Sequence, residues 1–136
     1  MAVDHIVLLK LRKDVGAAER QAMLDGIASL HSLEGVEWVT CGENFSPGRA
    51  NGMTHALVVR LSSRAALSRY ATNAQHVVIR DKVIAPLLDA SSGPAVVAVD
   101  YDSVPAEPSS QYGLGTVLSA TVLGVIVGAL LCRATQ

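Results

Sequence analysis

The chain has 136 residues, half of them hydrophobic and 17% charged, with a formal net charge of −1 and a mean hydropathy of +0.36. That length suits one domain plus an appendage, and the near-neutral charge, with no basic stripe, excludes nucleic acid as a partner. The two cysteines, Cys41 and Cys132, fall in segments of different character, so no internal disulfide is expected, as in a reducing compartment.

Met1–Ile6 has no basic stretch leading into an apolar one and does not read as a secretory signal. Asp4–Arg12 (DHIVLLKLR) is an apolar run ending in alternation, the pattern of a strand. Over Gly16–Ser32, Ala22, Met23, Ile27 and Leu30 recur at helical spacing and continue to Leu33, with Glu19 and Asp25 turned outward. Val36–Cys41 is a short strand rich in β-formers, and Asn44–Gly52 (NFSPGRANG) is dense in turn residues. Thr54–Leu61 reads as a strand. Ser63–Tyr70 and Ala74–Leu88 read as helices broken near Thr72-Asn73, with Pro86 kinking or shortening the second. Ala95–Tyr101 (AVVAVDY) is the last strand. The order β-α-β-β-α-β predicts an α+β, ferredoxin-like domain over residues 1–102: one four-stranded antiparallel sheet with helices on one face. The other face needs cover, and a second copy of the same domain is the simplest one, so a homodimer is expected.

Residues 103–112 form a polar linker with Pro and Ser, and no charge occurs from Pro108 to Cys132. Leu114–Cys132 (LGTVLSATVLGVIVGALLC) is apolar on every face. As a helix it would run ~28 Å, close to the ~30 Å of a bilayer's hydrocarbon core. We therefore expect one transmembrane helix over residues 113–132 and a short tail over 133–136. The expected topology is a tail anchor with the domain facing the cytosol; Arg133 alone does not identify the membrane. Within the span, Thr116, Ala120, Gly124 and Gly128 repeat every four residues, a spacing that lets two helices approach closely.

Strand parity picks out candidate site residues. Successive residues of a strand point to opposite faces. His5 shares its face with Val7, Leu9 and Leu11, and His55 shares its face with Leu57, Val59 and Leu61. Burying an imidazole on an apolar face requires a hydrogen-bond partner, so two such histidines at strand starts suggest a polar spot in an apolar cavity. A third element, Tyr70-Ala-Thr-Asn-Ala-Gln-His76, brings a Tyr and a His together across a helix break.

The opening HIVLLKLR, the stretch NFSPGRANGMTHALVV, the segment YATNAQHVVIRDKVIAPLLD and the ending VVAVDY resemble the stress-response A/B barrel domain family, and most closely its plant-type members. The resemblance covers about residues 1–102 and not the hydrophobic tail. It implies a dimeric α/β barrel, in which two sheets close on each other. The family includes olivetolic acid cyclase, a polyketide cyclase that performs an intramolecular aldol condensation. By that likeness His76 would be the general base and Tyr70 its stabilising partner, with His5 and His55 lining the substrate pocket. The chemistry suits the residue types. A neutral His can take a proton from a carbon between two carbonyls, and a Tyr hydroxyl can hold the oxygen that gains charge. Where the family usually reads His-Pro-x-His, this chain has Asn73-Ala74 before His76, so the first histidine's role is absent, while Asn remains a good N-cap. The resemblance also implies Mg²⁺ on backbone carbonyls matching Leu30, Leu33 and Val36, in a structural role, since carbonyl oxygens suit a hard cation.

Three functions follow as expectations. The first is a membrane-tethered, homodimeric stress-response A/B barrel protein with a small apolar pocket and no assigned chemistry. The second is a polyketide cyclase-like lyase with His76 as base. The third is a cofactor-independent monooxygenase of the same fold group. That third reading wants an Asn/Trp/His triad, whereas Trp38 reads as a core residue and Asn44 as a turn residue. None of the three requires a cofactor.

Overall fold

A computed structural model describes residues 1–104 of the chain. The expected membrane span over 113–132, its small-residue face and the tail over 133–136 lie outside the described residues, as does the linker beyond residue 104. Among the described residues no helix is long and apolar enough to cross a membrane.

The elements are β1 (Val3–Leu9), α1 (Ala17–Ser29), β2 (Val36–Glu43), β3 (His55–Leu61), α2 (Arg64–Thr72), α3 (Ala74–Val78) and β4 (Val96–Asp102). The strands form one antiparallel sheet in the order β2-β3-β1-β4. This is the ferredoxin-like α+β arrangement that the element order predicts. β1 ends at Leu9, three residues earlier than its apolar pattern suggests. Leu11 leaves the ladder because its amide bonds to the Thr54 hydroxyl and its backbone bridges to Leu88. β2 runs two residues longer than expected, since Glu43 still pairs with His55.

Helix α1 starts where the Gly16 amide donates to the Glu19 carboxylate, 2.8 Å away, one half of a capping arrangement. It ends at Ser29, short of the predicted Ser32, and Leu30–Ser32 tightens into a 3₁₀ turn. The Ser29 and Ser32 hydroxyls donate back to the carbonyls of Gly26 and Ser29, offering the backbone an alternative to further α-helix. Gly35 then turns the chain into β2 at φ +85°, where a Cβ would lie 2.7 Å from that of Ala66. Only glycine meets both demands.

The break expected near Thr72-Asn73 falls at Asn73. Beyond α3 the chain widens to i→i+5 hydrogen bonding over Ile79–Ile84 and closes in a 3₁₀ turn over Ala85–Leu87 that contains Pro86. The predicted single helix to Leu88 is thus three short segments, and Pro86 shortens it as expected.

The core lies between one sheet face and the helices. Leu9, Met23, Ile27, Leu30, Val59 and Leu61 are almost completely buried there. β3 alternates strictly between buried and half-buried residues. The opposite sheet face is open: Trp38, Val97, Val99 and Tyr101 are exposed on it. Trp38 is therefore no core residue; it lies on β2 opposite Arg60, whose guanidinium stacks 5.3 Å over its ring. Beside this pair, Asp4 is buried and takes two bonds from Arg60, at 2.8 and 2.6 Å, and one from the Ser103 hydroxyl. These donors, Arg60 first, hold the Asp4 carboxyl well below the usual carboxylate range.

Candidate functional site

A cavity of about 230 Å³ opens between the sheet and the helical layer. Leu9 and Val7 of β1, Ile27 of α1 and Leu57 of β3 supply much of its apolar wall, and His5, Tyr70 and His76 are its polar members along with Arg80. Three of the four residues singled out from the sequence therefore meet at one place.

His76 reaches the cavity because Asn73 caps α3. The Asn73 side-chain oxygen accepts from the amides of Gln75 (2.9 Å) and His76 (3.4 Å), the usual N-cap geometry. Tyr70, in the last turn of α2, is only 3% exposed. Its ring lies 4.3 Å from that of His76, tilted by 40°, and 5.9 Å from that of His5, edge to face. Tyr70 lines the cavity, and its hydroxyl makes no hydrogen bond among the described residues. Burial pushes its pKa up to about 12. It stays protonated at neutral pH and is a hydrogen-bond donor for whatever occupies the cavity.

His76 Nδ1 lies 3.3 Å from the Ala71 carbonyl. A carbonyl can only accept, so Nδ1 carries the proton and Nε2 is the free base. Burial pushes the His76 pKa below its ordinary value, which keeps that nitrogen unprotonated at neutral pH. His5 is half-buried, and its Nδ1 lies 2.5 Å from Asp100 Oδ1.

His55 does not join them. It is 4% exposed at the far end of the same sheet face, opposite Leu9, with its Nδ1 3.0 Å from the Thr54 hydroxyl. Parity identifies its face correctly, and it is level with Leu9, yet His55 is not among the residues that line the cavity. Burial lowers its pKa as well. Asn44 is the turn residue expected: its side chain accepts from Ser46 and donates to the Met53 carbonyl. Neither Asn44 nor Trp38 lines the cavity. Two residues that the sequence did not single out belong to the site. Asp100 is found only through the register that sets it opposite His5, and Arg80 through its place one helical turn beyond His76.

The carbonyls of Leu30 and Leu33 already accept the amides of Leu33 and Val36, each at 3.1 Å. Among the described residues no cluster of His, Cys, Asp or Glu could hold a metal ion. Neutral carbonyls, two of them engaged, are a poor match for Mg²⁺, which favours carboxylate and water oxygens in near-octahedral geometry.

A ferredoxin-like α+β domain with a His-Tyr-His array in an apolar cavity is the class that fold and site define. A family model for the stress responsive A/B barrel domain matches residues 3–103, and the chain belongs to that family. Two curated relatives come from Arabidopsis thaliana, both described as stress-response A/B barrel domain-containing proteins. One is 27% identical over 105 residues, 76% of this chain and 38% of its own length. The other is 30% identical over 112 residues, 75% of this chain and 53% of its own length. The chain thus spans about half or less of the curated relatives it matches. Among solved structures, a hydroxynitrile lyase from Passiflora edulis superposes with a TM-score of 0.65 at 18% identity, covering 79% of this chain and 97% of the lyase. A dimeric protein of unknown function from Bacteroides fragilis gives 0.56 at 25% identity, over 75% of this chain and 96% of that one.

Proposed function

We propose that this stress-response A/B barrel protein binds a small, apolar, carbonyl-bearing molecule in the cavity and removes a proton from it. The observation that carries the reading is the Tyr70–His76 pair, with rings 4.3 Å apart on an otherwise apolar wall. Nε2 of His76 takes the proton from a carbon flanked by carbonyls. The electron pair moves onto the carbonyl oxygen, and the Tyr70 hydroxyl donates a hydrogen bond to it. An apolar lining keeps water away and strengthens both interactions. At about 230 Å³ the cavity is smaller than most ligand sites, which favours a compact substrate. Intramolecular aldol closure of a poly-β-keto thioester, a polyketide cyclase-like lyase reaction, fits these requirements. The fold hosts lyase chemistry in the solved neighbour described as a hydroxynitrile lyase.

The test is turnover of a poly-β-keto thioester by the full chain in detergent. His76→Ala is expected to lower the rate by roughly 10²- to 10⁴-fold, the usual worth of a positioned base. Equal rates would overturn the assignment.

The open sheet face, with its exposed Trp38, Val97, Val99 and Tyr101, is proposed as the homodimer interface. Several solved neighbours are described as dimeric. The apolar segment 113–132 is proposed to tether the protein to a membrane, with the domain on the cytosolic side. Mg²⁺, if it binds near Leu30, has no part in this chemistry.

A further inference from the structure

We infer that the cavity selects an anion, with Arg80 at its mouth holding a carboxylate or phosphate at the end of the apolar, carbonyl-bearing chain. The inference rests on the reading above for what fills the cavity and names the charged end that such a molecule carries.

The lining offers positive charge and no negative one. Arg80 is the one Lys, Arg, Asp or Glu among the described residues that form it. Asp81 and Asp100 touch Arg80 and His5 but do not line the cavity. Arg80 follows His76 by four positions, a spacing that puts both on one side of the helical stretch. After burial, the Arg80 charge is the next cause that holds the His76 pKa down, as its closeness to that ring requires. The Arg80 side chain remains 54% exposed, although the wall it joins is almost wholly apolar. A long cationic side chain achieves both by laying its methylene stem on apolar surface and keeping its head in water. The guanidinium therefore stands at the rim, where the cavity meets solvent.

The head has room for an anion. Its Nε and Nη2 donate to the Asp81 carboxylate at 2.7 and 3.1 Å, which uses two of the five N–H groups of a guanidinium and leaves three. Both side chains of that pair are about half-exposed, and an exposed ion pair contributes little. An oxyanion brought in by an apolar chain meets Arg80 in drier surroundings, where opposite charges attract more strongly. The planar fork of Arg also matches carboxylate and phosphate oxygens two at a time. At ~30 Å³ for each water displaced, a cavity of about 230 Å³ holds about eight water-sized groups. A short acyl chain with its charged end at Arg80 fits that length.

The test needs no turnover. Hexanoate, hexyl phosphate and neutral hexanamide are titrated into the full chain in detergent micelles at about pH 8, where His76 is neutral. Binding is read from the ring Cε1–H signal of His76 in histidine-labelled protein, identified by its loss in His76→Gln. Micelles take up part of each probe, so each probe is compared only between proteins at one detergent concentration. Arg80→Met keeps an unbranched apolar stem and removes the charge. It should weaken at least one of the two anions about tenfold and leave hexanamide unchanged. Asp81→Asn removes the competing carboxylate and should tighten the same anion. Dependence of hexanoate on Arg80 identifies a free acid as the ligand, and dependence of hexyl phosphate alone identifies a phosphate-bearing carrier. Equal loss of anions and hexanamide in Arg80→Met, or no loss at all, overturns the inference. So does Asp81→Asn without tightening, or an unaltered protein whose His76 signal neither anion moves. Turnover of the thioester without Arg80-dependent anion binding removes this inference and leaves the proposed function standing. Arg80-dependent binding without turnover does the reverse.

Discussion

His76 and Asp4 show how one neighbourhood sets a side chain's charge. Desolvation lowers the His76 pKa below 6.5, and only the Ala71 carbonyl and Asp81 oppose it. A base must be unprotonated to act, so the acid limb of a pH–rate profile for turnover should have its midpoint below 6.5. A midpoint above that value would mean that a different group is titrating. Asp4 behaves differently, since its charged form is favoured by Arg60 and Ser103. A carboxylate whose folded pKa is depressed adds stability above its unfolded value, near 4, and that stability is lost as pH falls further. Asp4→Asn removes the charge-assisted bonds and should cost about 2 kcal/mol near neutral pH. In denaturant titrations the gap between the two proteins should therefore narrow progressively as pH falls from about 4 towards the depressed folded pKa of Asp4; an unchanging gap would show that the loss is steric.

At the scale of elements, the break between α2 and α3 controls the site. Asn73 ends one helix and caps the next, and that turn aims His76 at Tyr70. Asn73→Ala should lower stability by about 1 kcal/mol and reduce turnover as well, because α3 has only five residues and no other cap. Asn73→Asp should restore both in urea denaturation and rate measurements. A variant that loses stability but keeps full turnover would show that His76 is held by packing alone. The widened turn that follows, Ile79–Ile84, places Ile79, Arg80 and Ile84 on the cavity wall. Stretches of i→i+5 bonding are uncommon and often occur at functional sites.

Across the whole molecule, the helix face is closed and the other sheet face is not. Val97, Val99 and Tyr101 point from the edge strand β4 to the open side, joined by Trp38 from β2. The Arg60–Asp4 pair lies between Trp38 and Tyr101, and exposed apolar groups on a sheet face of this kind mark an interaction surface. Val99 is 52% exposed, so Val99→Asp should leave the fold intact and weaken self-association at least tenfold by sedimentation. Folded monomer and unchanged circular dichroism are the expected result. A stable dimer in the variant would put the interface elsewhere. For the segment 113–132, carbonate washing of membranes should leave the full chain in the pellet and release a chain ending at Ser110. Release of both would refute the tether.

Among the described residues periodicity located the four strands and the α-helices, because burial on one face imposes a repeat of two or of 3.6 residues on the sequence itself. It misjudged their ends, since Thr54 and Leu88 draw Leu11 out of β1 through contacts distant in sequence. It also assigned His5 and His55 to an apolar face correctly and could not say how far along that face a cavity extends. Composition made Trp38 a core residue; only the tertiary structure showed that its face of the sheet is uncovered. Tyr70 and His76 were legible as neighbours, being six positions apart across a capped break. Asp100 was not, because it lies 95 residues from His5 and looks like any acidic residue of an edge strand. The sequence by itself therefore determined the fold class and three members of the site, His5, Tyr70 and His76, through local patterns that a short window contains. The cavity, the exclusion of His55 and the His5–Asp100 contact were decided by the tertiary structure, because strand register and helix placement depend on packing between distant segments.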